Sequence, residues 1–149
     1  MKAVIQRVEK AACYVDGKVT GEIEKGFLVL LGVMKGDTKK EADLLAKKIA
    51  GLRVFTDEAD KMNLDLQAVN GGILLVSNFT LGADLTKSGK RPSFSDAAPP
   101  ADAQPLYEYM ADALRAQGVT KVEMGIFGAD MKLHMIADGP VTLLAEYHP

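Results

Sequence analysis

The run Phe27-Leu28-Val29-Leu30-Leu31-Gly32-Val33 is apolar throughout and is bounded by Gly26 and Lys35. A strand of this composition offers no polar face to water, so it predicts a sheet member buried on both sides. Ile73-Leu74-Leu75-Val76 opens a second buried strand, read as continuing to Leu81. A chain of 149 residues with 48% hydrophobic composition can bury one core of this sort, and no shift in composition marks a second domain.

The rest of the chain is read around those strands. Residues 2 to 9 and 12 to 15 alternate as strands, and Asp16-Gly17 is a tight-turn dipeptide leading to a third strand over 18 to 23. Thr38 and Glu41 have the spacing of a capping box, and Ala42, Leu45, Ile49 and Leu52 follow at helical intervals, which predicts a helix over 38 to 51. A short strand at 52 to 55 precedes a polar turn from Thr56 to Asn63. From Gly82 to Ala103 no period is found, and the stretch carries Pro92, Pro99 and Pro100. So long a loop in a small domain serves function or wraps a partner. A second helix over 103 to 117 presents Leu106, Met110, Ala113 and Leu114 and stops at Gly118. Strands at 130 to 137 and 141 to 147 close the chain, joined at Asp138-Gly139-Pro140. Many strands with two separated helices predict an α+β fold: a single domain with a mainly antiparallel, curved sheet or barrel.

The residue inventory excludes several chemistries. Cys13 is the only cysteine and reads as a small core residue. His134 lies mid-strand and His148 near the carboxyl end, so neither forms a cluster that would hold zinc or an imidazole placed to activate a hydroxyl. Gly32 to Gly36 and Ser88-Gly89-Lys90 do not complete a phosphate-loop spacing. No cofactor and no metal is expected. The start of the chain has no apolar stretch of signal length and no run spans a membrane, so a cytoplasmic protein without a membrane partner is expected. A formal net charge of −2 provides no global basic face for DNA, although Lys87, Lys90 and Arg91 cluster in one polar loop. On composition alone that cluster reads as a solvated face.

Two segments interrupt apolar runs with small, hydroxylated or turn-forming residues: Ser77-Asn78-Phe79-Thr80-Leu81-Gly82-Ala83 and Asp138-Gly139-Pro140-Val141-Thr142. Read by their residues, Thr80 is either a β-former or a hydroxyl delivered to a strand edge where Gly82 and Ala83 leave room, and Gly139-Pro140 punctuates a hairpin. Together these segments resemble the D-aminoacyl-tRNA deacylase family, whose marks are a Ser-Gln-Phe-Thr-Leu strand end and an Asn-x-Gly-Pro-x-Thr turn. The resemblance extends through Gln6-Arg7-Val8, Gly26 to Gly32, Lys61-Met62-Asn63-Leu64, Arg91-Pro92-Ser93-Phe94-Ser95 and Phe127-Gly128-Ala129-Asp130-Met131.

That resemblance implies a homodimeric hydrolase that cleaves D-aminoacyl esters from the 3′-terminal adenosine of tRNA, with its site at the subunit interface. It implies a cis Gly139-Pro140 bond, a turn that enters the other subunit's pocket, and participation of the ribose 2′-hydroxyl. Thr80 is then the residue nearest the scissile ester, as nucleophile or as positioning group. Ser77, Asn78, Phe79, Phe127, Met131, Gly139 and Pro140 bind substrate, Arg7 holds the Gly-Pro turn, and Lys87, Lys90 and Arg91 meet tRNA phosphates. Glycyl-tRNA is a second expected substrate. Three positions depart from the family text: Asn78 stands for Gln, Ala137 for Asn, and Ile126 for an Arg before Phe127. The alternatives are a non-catalytic tRNA-binding dimer of the same fold and a small-ester hydrolase using Thr80 as nucleophile.

Overall fold

The computed structural model describes residues 1–87 and 89–149. Its elements in order are β1 (Lys2–Val15), β2 (Lys18–Ile23), β3 (Gly26–Gly32), α1 (Lys39–Ala50), β4 (Phe55–Thr56), β5 (Met62–Leu64), β6 (Gly72–Ser77), a 3-10 turn (Phe79–Gly82), α2 (Pro100–Ala116), β7 (Val122–Met124) and β8 (Lys132–Glu146). The main sheet runs β2-β1-β3-β6-β7, with β8 paired along the other edge of β1. Residues 2 to 8 of β1 pair with β3 and residues 11 to 15 with β2, so the two expected amino-terminal strands are one strand whose single edge is shared by β3 and β2.

The sheet is mixed, which corrects the mainly antiparallel expectation: β3 pairs β6 in parallel, and β6 pairs β7 in parallel. Parallel strands are usually covered on both faces and read as continuous apolar runs. Phe27, Val29, Leu31, Ile73 and Leu75 face the helix-side core with Leu45, Ile49, Met110 and Leu114. Leu28, Leu74 and Val76 turn to the other face, against Val8, Ala11, Cys13 and Ile23. The two-residue period of a strand thus feeds two cores. Gly26 and Gly72 bring β3 and β6 close, since a Cβ on Gly26 would sit 1.9 Å from the Gly72 carbonyl oxygen. The curl nearly closes at Gly21, where a Cβ would meet the Met124 carbonyl oxygen at 2.8 Å.

Three further boundaries differ from the sequence reading. β6 stops at Ser77 and the chain turns, so Thr80 lies in a 3-10 turn and not at a strand end. α2 begins at Pro100, not at 103, because Pro99 and Pro100 take the cap and first helical positions. Proline suits the first turn because that turn's N–H groups have no helical partner. β8 is one strand, not two strands joined by a hairpin. Gln6 pairs with Thr142 and Val8 with Ala137, so Arg7 alone faces the four extruded residues Asp138 to Val141. The Gly139-Pro140 peptide bond in this bulge is cis.

Candidate active site

A pocket of about 580 Å³ opens where the carboxyl ends of β3 and β6 meet the start of α2. Leu30, Leu31 and Val76 come from the strands and Val33 from just after β3, Ala98, Pro100, Ala103 and Tyr107 from α2 and its approach, and Phe127, Gly128, Ala129, Met131 and Leu133 from the segment before and into β8. Ser77, Asn78, Phe79 and Thr80 form one wall. Six of the residues singled out in the sequence are therefore brought together: Ser77, Asn78, Phe79, Thr80, Phe127 and Met131.

Local structure sets the geometry of that wall. β6 is buried up to Val76, and Asn78 N–H donates to the Leu31 carbonyl at 2.8 Å, which ties the turn to β3. Leu81 N–H then bonds Asn78 O and closes the turn. The N–H groups of Phe79 and Thr80 open this turn, so they have no carbonyl within it to bond. The Thr80 hydroxyl donates to the Asn78 side-chain oxygen. Asn78, though one methylene shorter than Gln, reaches Thr80 and orients it.

The floor of the pocket is apolar and its one titratable group is occupied. Tyr107 is fully buried and its hydroxyl donates to Leu75 O at 2.7 Å. Burial pushes the Tyr107 hydroxyl well above its ordinary value of 10.0. Its ring lies 6.0 Å from that of Phe127. Tyr107 escaped the sequence reading, although a tyrosine on the apolar face of a helix signals a hydroxyl that must find a partner in the interior. No carboxylate, lysine or histidine lines this pocket among the described residues. His134 instead packs against Tyr14, with ring centroids 4.7 Å apart and tilted by 44°, and His148 contacts Glu146 at 3.1 Å.

Gly139, Pro140 and Arg7 lie outside the pocket of their own chain. Gly139 and Pro140 are exposed, whereas Arg7 is buried beneath them. Arg7 Nε donates to Asp138 O at 3.0 Å and lies 3.4 Å from the Asp138 carboxylate, while Nη1 donates to Val54 O at 2.6 Å. Arg7 thus clamps the base of the bulge to the segment before β4, with Asp138 supplying the polar contact that Ala137 cannot. Lys87, Lys90 and Arg91 are exposed in a loop whose ends meet at an Asp84–Ser93 bridge. Ile126 is half-exposed and carries no charge at the position before Phe127. No helix among the described residues is long and apolar enough to cross a membrane, and no cluster of His, Cys, Asp and Glu there could hold a metal ion.

The fold and the pocket define the class: a single α+β domain with a curved, nearly closed mixed sheet, whose pocket at the carboxyl ends of β3 and β6 is walled by Ser77, Asn78, Phe79 and Thr80. The family described as D-Tyr-tRNA(Tyr) deacylase matches residues 4–146. A D-aminoacyl-tRNA deacylase of Geobacter metallireducens is 56% identical over 98% of this chain and 95% of its own length. Another from Ruegeria pomeroyi is 55% identical over 96% of this chain and 97% of its own. Among solved structures, the c-Myc DNA Unwinding Element Binding Protein is similar with a TM-score of 0.92 and 38% identity over 100% of both chains. A probable eukaryotic D-amino acid tRNA deacylase shares the fold, with a TM-score of 0.81 at 17% identity over 97% of both chains. The chain belongs to the D-Tyr-tRNA(Tyr) deacylase family, and it is an enzyme, a hydrolase.

Proposed function

We propose that the chain removes D-amino acids from tRNA by hydrolysing the ester to the 3′-terminal adenosine, acting as a homodimer in which the Gly139-Pro140 bulge of each subunit enters the pocket of the other. The observation that carries the reading is the pocket at the carboxyl ends of β3 and β6, which brings Ser77, Asn78, Phe79, Thr80, Phe127 and Met131 together in a chain of this family and, among the described residues, is lined by no carboxylate, lysine or histidine. An aminoacyl ester is already activated. Water adds to its carbonyl carbon, the oxyanion is met by the Phe79 and Thr80 N–H groups, and the bond to the ribose oxygen breaks as that oxygen takes up a proton. One such donor can contribute about 2.7 to 4 kcal/mol to the transition state. The neighbouring ribose 2′-hydroxyl assists proton transfer, which accounts for the missing imidazole. Thr80 acts as a positioning group, since no base is present to make it a nucleophile.

Handedness is tested by main-chain atoms. A pocket fitted to each side chain would discriminate by only about 1–3 kcal/mol per methylene. A backbone wall around Cα instead asks where Cβ points: an L substituent meets Gly139 and Pro140, and a D substituent leaves towards solvent. Rejection is a clash against the wrong hand. Glycine has no Cβ, so glycyl-tRNA is a second substrate. Arg7 and Asp138 hold the bulge, and Lys87, Lys90 and Arg91 approach the tRNA phosphates. The partner in this reading is aminoacyl-tRNA in the cytoplasm, with neither DNA nor membrane involved.

The test is ester loss from D-tyrosyl-tRNA and L-tyrosyl-tRNA incubated with the pure protein. Rapid loss of the D ester with the L ester spared is expected. Equal loss of both, or loss of neither, overturns the reading.

A further inference from the structure

Of the five phenylalanines, Phe27 and Phe55 are buried and Phe127 is half-buried, but Phe79 and Phe94 are 60% and 38% exposed. These two meet edge to face, with ring centroids 5.3 Å apart at 73°. Phe79 lines the pocket, and Phe94 stands just outside it, immediately after the Asp84–Ser93 bridge. That bridge closes the loop bearing Lys87, Lys90 and Arg91, none of which makes an ion pair among the described residues. Leu85, 77% exposed, adds apolar surface at the same loop.

Exposed aromatic rings beside unpaired cations are what single-stranded nucleic acid requires: faces on which bases stack and charges that follow the backbone. An edge-to-face pair leaves ring faces free for a third ring. We infer that Phe79 and Phe94 form a stacking platform at the pocket mouth for the penultimate base of the RNA 3′ end, while Lys87, Lys90 and Arg91 take the phosphates upstream of it. The order follows from position, because the terminal nucleoside occupies the pocket that Phe79 walls and the next base emerges towards Phe94. The inference rests on the deacylase reading and adds a second nucleotide to the recognised substrate. Stacking accepts any base, so the platform grips the strand without reading its sequence.

The experiment uses a hairpin RNA with a single-stranded 3′ end, 2-aminopurine as the penultimate base, and a D-tyrosyl amide in place of the ester on the terminal ribose. Stacking on the platform should quench its fluorescence severalfold on binding, and 2-aminopurine placed in the duplex should not respond. Phe94→Ala should abolish the quench and weaken binding by about 5- to 140-fold, the equivalent of one lost base stack. Phe94→Trp should restore both. Binding without quench in the unaltered protein, or a quench that survives Phe94→Ala, overturns the inference. D-tyrosyl-tRNA hydrolysis by the same unaltered protein separates the two levels: ester loss without quench removes the platform alone, and no hydrolysis removes the deacylase reading with it.

Discussion

Thr80 is held by Asn78, and on that contact rests the proposal that it is a positioning group. A hydroxyl that donates to a carboxamide is oriented, and no carboxylate, lysine or histidine lines its pocket among the described residues. Thr80→Ala is therefore expected to lower kcat by about ten- to a hundredfold, each tenfold corresponding to about 1.4 kcal/mol, and to leave a measurable rate on D-tyrosyl-tRNA. Single-turnover kinetics with acid trapping checks it: complete loss in the variant, with an acyl-enzyme trapped in the unaltered protein, would make Thr80 the nucleophile. Ser77, Asn78, Phe79 and Thr80 were legible because small and hydroxylated residues interrupt an apolar run there. Tyr107 was not, since its contact with Leu75 spans 32 residues of sequence; Asp138 was named only as part of the Gly-Pro segment, and its own contact with Arg7 spans 131.

At the level of elements, α1 shows how far local chemistry reaches. Its box is complete: Thr38 N–H and hydroxyl both donate to the Glu41 carboxylate at 2.7 Å, and Lys40 N–H donates to the Thr38 hydroxyl at 3.2 Å. The Thr38 hydroxyl first, then its N–H, hold Glu41 below the ordinary value of 4.5. A carboxyl whose folded pKa is depressed stabilises the fold fully above its unfolded pKa, and that contribution is lost as pH falls through the folded value. Melting curves should accordingly show Glu41→Gln less stable than the unaltered protein above pH 4.5, with the gap closing as the pH drops below it. A gap independent of pH would contradict this. By contrast, three-residue β7 carries too few residues to establish a period, and its place beside β6 comes from parallel pairing with a partner 49 positions earlier, Ile73 to Val122.

Over the whole molecule, β8 is the feature a lone subunit leaves unexplained. It is 15 residues long and among the described residues pairs β1 alone, and Leu133, Met135, Ile136 and Leu144 are 36% to 79% exposed along it. Met135 and Ile136 are neighbours on opposite faces, so the strand is bare on both sides there. Long apolar edge strands are covered in stable proteins, and a second copy is the occupant the proposed cross-subunit site requires. Sedimentation should give twice the 16.0 kDa chain mass. Ile136→Glu should raise the dimer dissociation constant at least tenfold and reduce D-tyrosyl-tRNA hydrolysis in step with the monomer fraction. A fully active monomer would refute the shared site.

The amino-acid sequence by itself determined the helix α1 with its cap, the two strands buried on both faces, the Asp16-Gly17 turn and the cluster of residues around Thr80. Each depends on neighbours a few positions apart, where backbone preference and side-chain period act directly. Only the tertiary structure decided that β3 and β6 run parallel, that one β1 serves β2 and β3 along one edge and β8 along the other, and that Gly139-Pro140 bulges from a continuous strand over Arg7. Those outcomes depend on which distant segments share an edge, and the energy that selects among edges appears only when both cores close together.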